Sequence, residues 1–244
     1  PMSRSLALIL GVGAVDGIGG ALCLRAAAAG HHVIAAGRTA EKLDHLVAAV
    51  EAAGGSAEGH VVDLADSDRI GDLFAAIDGR DGRLDFTAYN AGNSFRHTTP
   101  DMPPAFFEEA WRICCLGGFI AGQAAANRMA TTGGGTLVFT GATASIKARP
   151  PFIAFAAAKA ALRAAAAGLA REYGPKGVHV GHVIIDGGVE GAIRRKRLPK
   201  DQDSAGENEL LSPAAIAEAY WQLHLQHPSA WSFEIDLRPF NEVF

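Results

Sequence analysis

The chain has 244 residues, 49% of them hydrophobic and 20% charged, with a formal net charge of −4. That length buries a substantial core without disulfides or metal, and the mild acidity gives no electrostatic case for nucleic acid or an anionic membrane. Cys23, Cys114 and Cys115 are odd in number and two are adjacent, which argues against a disulfide framework and points to a reducing cytoplasm.

The sequence opens without a basic-plus-apolar leader, and no uncharged apolar run is long enough to span a bilayer. Pro1 ahead of Met2 reads as a cloning remnant, so the expected unit is a single domain over 2–244. The apolar run Leu6-Ala7-Leu8-Ile9-Leu10 predicts a buried strand. It feeds the glycine turn Val12-Gly13-Ala14-Val15-Asp16-Gly17-Ile18-Gly19-Gly20, which opens a helix through Ala21, Leu22, Leu24 and Ala26. His32 to Ala36 reads as a second strand, and Thr39 as the cap of a helix carrying Leu43, Leu46, Val47 and Val50. Gly59 to Val62 is a third strand ending at Asp63, and Asp66 or Ser67 starts a helix through Ile70, Leu73, Phe74 and Ile77. Leu84 to Ala88 is a fourth strand leading into Asn90-Ala91-Gly92. Pro103 to Met129 is helical with an interruption at Gly117-Gly118. A fifth strand spans Thr136 to Thr140, an alanine-rich helix Phe152 to Tyr173, and a sixth strand His179 to Ile185. Arg194 to Asn208 is charged and aperiodic, which suggests a loop; a helix from Ser212-Pro213 and a strand from Ser232 to Leu237 close the chain.

Strands alternating with helices, and apolar throughout, predict an α/β fold: one doubly wound, mostly parallel, Rossmann-type sheet. Ligands in such sheets bind beyond the C-terminal ends of the strands. The glycine turn, Arg38, Asp63, Asn90, Ala142 and Asp186 all stand at such ends. The generic G-x-G-x-x-G pattern fails because Asp16 occupies its last glycine, whereas G-x-x-x-G-x-G fits as Gly13, Gly17 and Gly19. Glycines let backbone approach a phosphate, and a helix N-terminus offers N–H groups and positive dipole. A carboxylate near phosphates is repulsive, so Asp16 is read as the N-cap of the first helix.

The glycine spacing, Asp63, Asn90-Ala91-Gly92 and Lys159 on the fifth crossover helix resemble the short-chain dehydrogenase/reductase family over nearly the whole chain. The resemblance implies a nicotinamide dinucleotide held by Gly13, Val15, Asp16, Gly17, Ile18, Gly19, Arg38, Thr39, Lys159 and Val189. Asp63 would face the adenine, Leu64 beside it would bind the cofactor too, and Asn90, Ala91 and Gly92 would line it. It also implies a substrate lid around residues 190–210. Tyr89 stands where the family has an asparagine, and Asp186-Gly187 where it has Pro-Gly. NAD-users of this fold place an acid at the end of the second strand to hold the ribose hydroxyls. Here that place is Gly37, followed by Arg38 and Thr39. A small residue leaves room for a 2′-phosphate and a guanidinium pairs with it, so NADP is expected in preference to NAD. The alternative for Arg38 is a solvated charge at the start of a helix.

The family's chemistry rests on Tyr-x-x-x-Lys, a serine and an asparagine. Those positions align here with Phe155, Lys159, Ala142 and Cys114, so the lysine alone is retained. Phenylalanine has no exchangeable proton and cannot act as a general acid or base. Thr140, Thr143 and Ser145 flank Ala142, and Tyr89 and His97 lie near the expected nicotinamide; their alternative roles are strand, turn and surface polarity. Lys159 acts itself if burial lowers its pKa, or else holds the ribose. Cys114 reads as a buried structural thiol. His179 and His182 point to opposite faces of a strand, and no spacing suggests a metal site. Arg194-Arg195-Lys196-Arg197 suits an anionic substrate or a solvated face neutralised by Asp201, Asp203, Glu207 and Glu209.

These residues point to an NADP(H)-dependent oxidoreductase acting on an apolar carbonyl, imine, alkene or alcohol through an atypical proton donor. Phe95, Trp111, Phe152 and Phe155 are the expected apolar lining. The alternative is an NADP(H)-binding protein without turnover, a sensor or partner subunit. The family's pairing of helices across a two-fold, with Ala154, Ala158, Ala161 and Ala165 permitting close approach, implies a homodimer or homotetramer; the alternative for an alanine-rich helix is packing on its own sheet.

Overall fold

In the computed structural model the described residues are 4–92, 94–191 and 208–242. Most of the lid expected at 190–210, including Arg194 to Arg197, lies outside them. Strand β1 (Ser5–Leu10) is buried from Leu6 to Leu10, and β2 (His32–Gly37) and β6 (Val178–Ile185) are buried at every residue. They have no polar face because helices cover both sides of them. With β3 (Ser56–Val61), β4 (Arg83–Tyr89), β5 (Gly135–Thr140) and β7 (Glu234–Leu237) they form one sheet in the order β3-β2-β1-β4-β5-β6-β7. Every pairing is parallel. β3 departs from the all-apolar expectation: it is an edge strand, and Glu58, His60 and the exposed Val61 stand on it. Charge at an edge discourages pairing with another chain.

Alternating side chains divide the core. Leu6, Leu8 and Leu10 of β1 face α3 (Ser67–Asp78), α5 (Gly117–Thr131) and α6 (Ile153–Tyr173), where Phe74, Met129, Leu162 and Leu169 meet them. Ala7 and Ile9 face α1 (Ile18–Ala28), α2 (Ala40–Ala52) and α7 (Pro213–His224), against Leu22, Leu43, Leu46 and Tyr220. α6 is long and apolar enough to cross a membrane by length and composition. It is the crossover between β5 and β6 and lies against α4 (Pro104–Trp111), α5 and β6.

Three local expectations are corrected. The break foreseen at Gly117-Gly118 does not occur; α4 runs into α5 through one π-helical turn, Arg112–Leu116. The glycines serve close packing instead, since a Cβ on Gly117 would lie 2.2 Å from the Leu64 carbonyl oxygen and 2.7 Å from Tyr89 Oη. Asp16 does not cap α1; Gly17 is the N-cap, one residue later, and no side chain caps that end. Thr39 does occupy the N-cap of α2, but its hydroxyl caps nothing, whereas Asp66 accepts from the N–H groups of Asp68 and Arg69. Of the four alanines named on α6, Ala154 and Ala158 pack with Phe95 and Cys114 inside the chain and Ala161 and Ala165 are half-buried, while Ala157, Ala160, Ala164 and Gly168 face out.

Candidate active site

A cleft of about 540 Å³ opens at the C-terminal ends of β1, β4, β5 and β6, within the usual size range of ligand sites. One side is the glycine turn, where Gly13, Asp16, Gly17, Ile18 and Gly19 all line it. Gly11 takes φ +89°, and a Cβ there would lie 2.4 Å from Ala91 N, so the end of β1 and the Asn90-Ala91-Gly92 backbone touch directly. Asn90 fastens three strand ends: its Nδ2 donates to the Gly11 carbonyl at 3.2 Å, and its Oδ1 accepts from Thr140 Oγ1 at 3.1 Å. Tyr220 of α7 shares a 2.7 Å hydrogen bond with the same threonine hydroxyl. Asn90 and Gly92 line the cleft, whereas Ala91 is turned into the core.

Ala142, Phe155 and Lys159 close the inner end. Lys159 is 3% exposed and donates from Nζ to the Thr140 carbonyl at 2.7 Å. Its ammonium stands 5.7 Å from the centroid of the Phe155 ring, one helical turn back. Burial lowers its pKa, with Cys114 opposing the shift. Cys114 sits on the π-helical turn, buried behind Gly92; a Cβ on that glycine would stand 3.4 Å from the Cys114 sulfur and 3.3 Å from Lys159 Nζ. All three cysteines are unbridged and buried. Val189 lines the opposite wall, held by a bridge to Leu211.

The remaining residues singled out in the sequence stand elsewhere. Val15 packs on the core beside α1. Arg38 and Thr39 are exposed beyond the end of β2. Asp63 accepts from Ala65 N at 3.0 Å and borders a separate shallow depression with Asp66, Asp68 and Arg112. Leu64 is a core residue. Of the apolar lining, only Phe155 reaches the cleft: Phe95 packs in the cluster beside it, Arg96 lies over Phe152, and Trp111 is 39% exposed on α4.

The substitute hydroxyls are occupied. Tyr89 Oη donates to the Ile113 carbonyl at 2.6 Å, fully buried, and burial raises its pKa well above the ordinary value. Thr143 donates to Asp186, and Ser145 Oγ accepts from Ala142 N at 3.1 Å. His97 bonds the neighbouring Thr98 carbonyl and lies against Phe106. Two polar residues not singled out by themselves in the sequence do line the cleft, Ser94 and, at the start of the expected lid, Glu190. Their signal was adjacency: Ser94 follows Gly92 by two residues, and Glu190 follows Val189.

With this geometry in place, comparison with known proteins is direct. The model of the short chain dehydrogenase family matches residues 7–202, and the chain belongs to that family. Its class is therefore that of the short-chain oxidoreductases. It is similar to a gluconate 5-dehydrogenase of Gluconobacter oxydans (strain 621H), 32% identical over 178 residues, 73% of this chain and 70% of that protein. The crystal structure of a short-chain dehydrogenase from Rhodopseudomonas palustris is 36% identical, covers 97% of this chain and 99% of that one, and superposes with a TM-score of 0.83. A metagenomic short-chain oxidoreductase in complex with NADP shares the fold at 23% identity and TM-score 0.79, over 97% of this chain and 96% of that one.

Proposed function

We propose that the chain is an NADP(H)-dependent short-chain oxidoreductase whose proton donor is not a tyrosine. The observation that carries this reading is a buried lysine with a lowered pKa at the inner end of a glycine-floored cleft. A dinucleotide suits the cradle: α1 begins with no side-chain cap and no acid in its first turn, which leaves its N–H groups for a pyrophosphate. Gly13 has nothing within 4 Å of where a Cβ would be, so backbone meets ligand there unshielded. Arg38 would pair with a 2′-phosphate, Thr39 with the same group, and Asp63 with the adenine side. Bound nicotinamide supplies hydride transfer.

On this reading Phe155, Ala142 and Cys114 stand where the family carries its tyrosine, serine and asparagine, and Lys159 is retained. Phe155 and Ala142 offer an apolar surface, which favours an apolar carbonyl, imine, activated alkene or alcohol over a sugar. Ser94 and Thr140 are the hydroxyl residues lining the cleft among the described residues, and the substrate oxygen is assigned to that pair. Lys159 holds one N–H on Thr140 and delivers a proton from its ammonium, made more acidic by burial.

The absence of a hydroxyl from Phe155 and Ala142 also favours a second reading, a cofactor-binding protein without turnover. Calorimetric titration with NADP and NAD, followed by NADPH oxidation assays on ketones, imines and activated alkenes, separates the two. The first reading expects NADP to bind more tightly than NAD and at least one class to be turned over. Tight binding without turnover by any class supports the second, and binding of neither nucleotide overturns both.

A further inference from the structure

We propose that His31, Asp85 and His224 form a binding site for a divalent transition metal of the zinc type, at the end of the sheet opposite the cleft. His31 immediately precedes β2, Asp85 is the third residue of β4, and His224 ends α7. Three segments distant in sequence thus bring one donor each to one point, with the donor atoms all within 4.8 Å of one another. This is why no spacing along the chain revealed the cluster. Asp85 Oδ2 is 3.0 Å from His31 Nε2 and 3.7 Å from His224 Nε2. Ligands about 2.0–2.2 Å from a tetrahedral zinc stand roughly 3.3–3.5 Å from each other, and these two separations bracket that range.

The surroundings hold the donors in position. His224 Nδ1 and Thr136 Oγ1 share a hydrogen bond of 2.9 Å, which orients the ring as outer-shell partners orient a metal-binding histidine. Asp85 Oδ1 accepts from Arg83, whose other nitrogen donates to the Gly134 carbonyl at 3.2 Å. Oδ2 is left to the two imidazoles. His31 Nδ1 is buried with no hydrogen-bond partner among the described residues, and the ring packs edge-on against Trp221 and His224, centroids 5.2 and 5.9 Å away. The side chains are 9%, 13% and 13% exposed, shielded yet reachable from solvent.

Two imidazoles and one carboxylate form a borderline donor set that selects zinc-like ions over magnesium or calcium. The chain supplies three ligands, leaving a position for water. The Arg83 guanidinium beside Asp85 opposes a cation, so the metal is exchangeable rather than permanent. Binding ties α7 to β2 and β4, which makes the site a staple for the C-terminal helix and independent of how the cleft is used.

The test is a titration of EDTA-treated protein with Co2+ and then Zn2+. We expect one Co2+ per chain with ligand-field absorption in the visible, displacement by Zn2+, and a Zn2+-dependent rise in thermal midpoint. His31→Gln and His224→Gln each weaken Zn2+ binding at least tenfold, with circular dichroism and NADP titration unchanged. No saturable Co2+ absorption in the unaltered protein overturns the proposal, and that spectrum decides even where a substitution unfolds the chain. Equally, binding retained in a folded His31→Gln/His224→Gln double variant overturns it.

Discussion

Gly37 limits where nucleotide preference can be written into this chain. A Cβ there would lie 2.3 Å from the Val12 carbonyl oxygen, a backbone atom that cannot move aside without disturbing the glycine turn. The acid that NAD-users carry at this place therefore has no room. Gly37→Asp is expected to lose about 3 kcal/mol or more of stability in denaturant melts, without creating an NAD binder. Arg38, exposed one residue later, is the position open to change. Arg38→Asp should weaken NADP binding roughly 10–100-fold by calorimetry, the range of one to two charge-assisted hydrogen bonds, and leave NAD binding unchanged or improved. Lys159 carries the second residue-scale expectation. Its burial lowers the pKa, so turnover that uses its proton should fall as pH rises through that lowered value. Lys159→Met should cost ~10²–10⁴-fold in kcat, measured as NADPH oxidation against a substrate the unaltered protein accepts.

Elements show why some features were legible beforehand and others were not. Strands such as Leu6–Leu10 and His179–Ile185 declare themselves, because a strand buried on both faces is apolar along most of its length; His179 and His182, the polar exceptions in the second, are buried with hydrogen bonds to the Ser232 carbonyl and Glu234. The glycine turn was equally plain, since its spacing and its place between strand and helix coincide. The π-helical turn at Arg112–Leu116 was not, because adjacent glycines usually signal a break, and only the contact of Gly117 with Leu64 shows that they admit a close approach. Gly117→Ala should therefore destabilise by about 2–3 kcal/mol, despite alanine's better helix propensity; a melt that shows stabilisation would contradict this packing. Tyr89, Phe95 and Trp111 were misplaced for a related reason. Their neighbours in sequence lie near the cleft, but which way a side chain turns is decided by the helix packed over it.

The tie between β6, β7 and α6 gives a pH dependence. Arg163 grips Glu234 with bonds of 2.6 and 2.8 Å, and Glu234 bonds His182 Nδ1 at 2.9 Å. Burial pushes the His182 pKa from 6.5 down to about 4, the Glu234 bond only partly opposing it. Between those values the unfolded chain takes up a proton that the folded chain refuses, so stability falls with falling pH. The loss is complete by about pH 4 and amounts to at most about 3 kcal/mol. His179, also lowered chiefly by burial, adds in the same direction. Thermal midpoints recorded from pH 7.5 to 4.5 should drop for the unaltered protein and drop less steeply for His182→Gln.

At the scale of the whole molecule, the outer surface of α4, α5 and α6 stands out. Phe107, Trp111 and Phe119 are 39%, 39% and 40% exposed there, beside the outward small residues Ala157, Ala160, Ala164 and Gly168 of α6. Large exposed side chains next to a smooth helix face suit a self-complementary contact. The unaltered protein is expected to be a dimer or larger by light scattering, and Trp111→Glu to shift it toward monomer. A monomeric parent at micromolar concentration would dismiss this assembly.

The strand order has a consequence for how the chain reaches its fold. Leu6 of β1 pairs on one side with His32, on the strand that follows it, and on the other with Leu84, which arrives only after two further helices and a strand. The cleft lies on that second seam, because Gly11 and Ala91 meet across it. Contacts remote along the chain close later and more slowly than local ones. The cleft is thus expected to form late in folding, after β1 and β2 have joined. A ligand for it is then expected to slow unfolding of the finished protein and to do little to speed the early steps toward it.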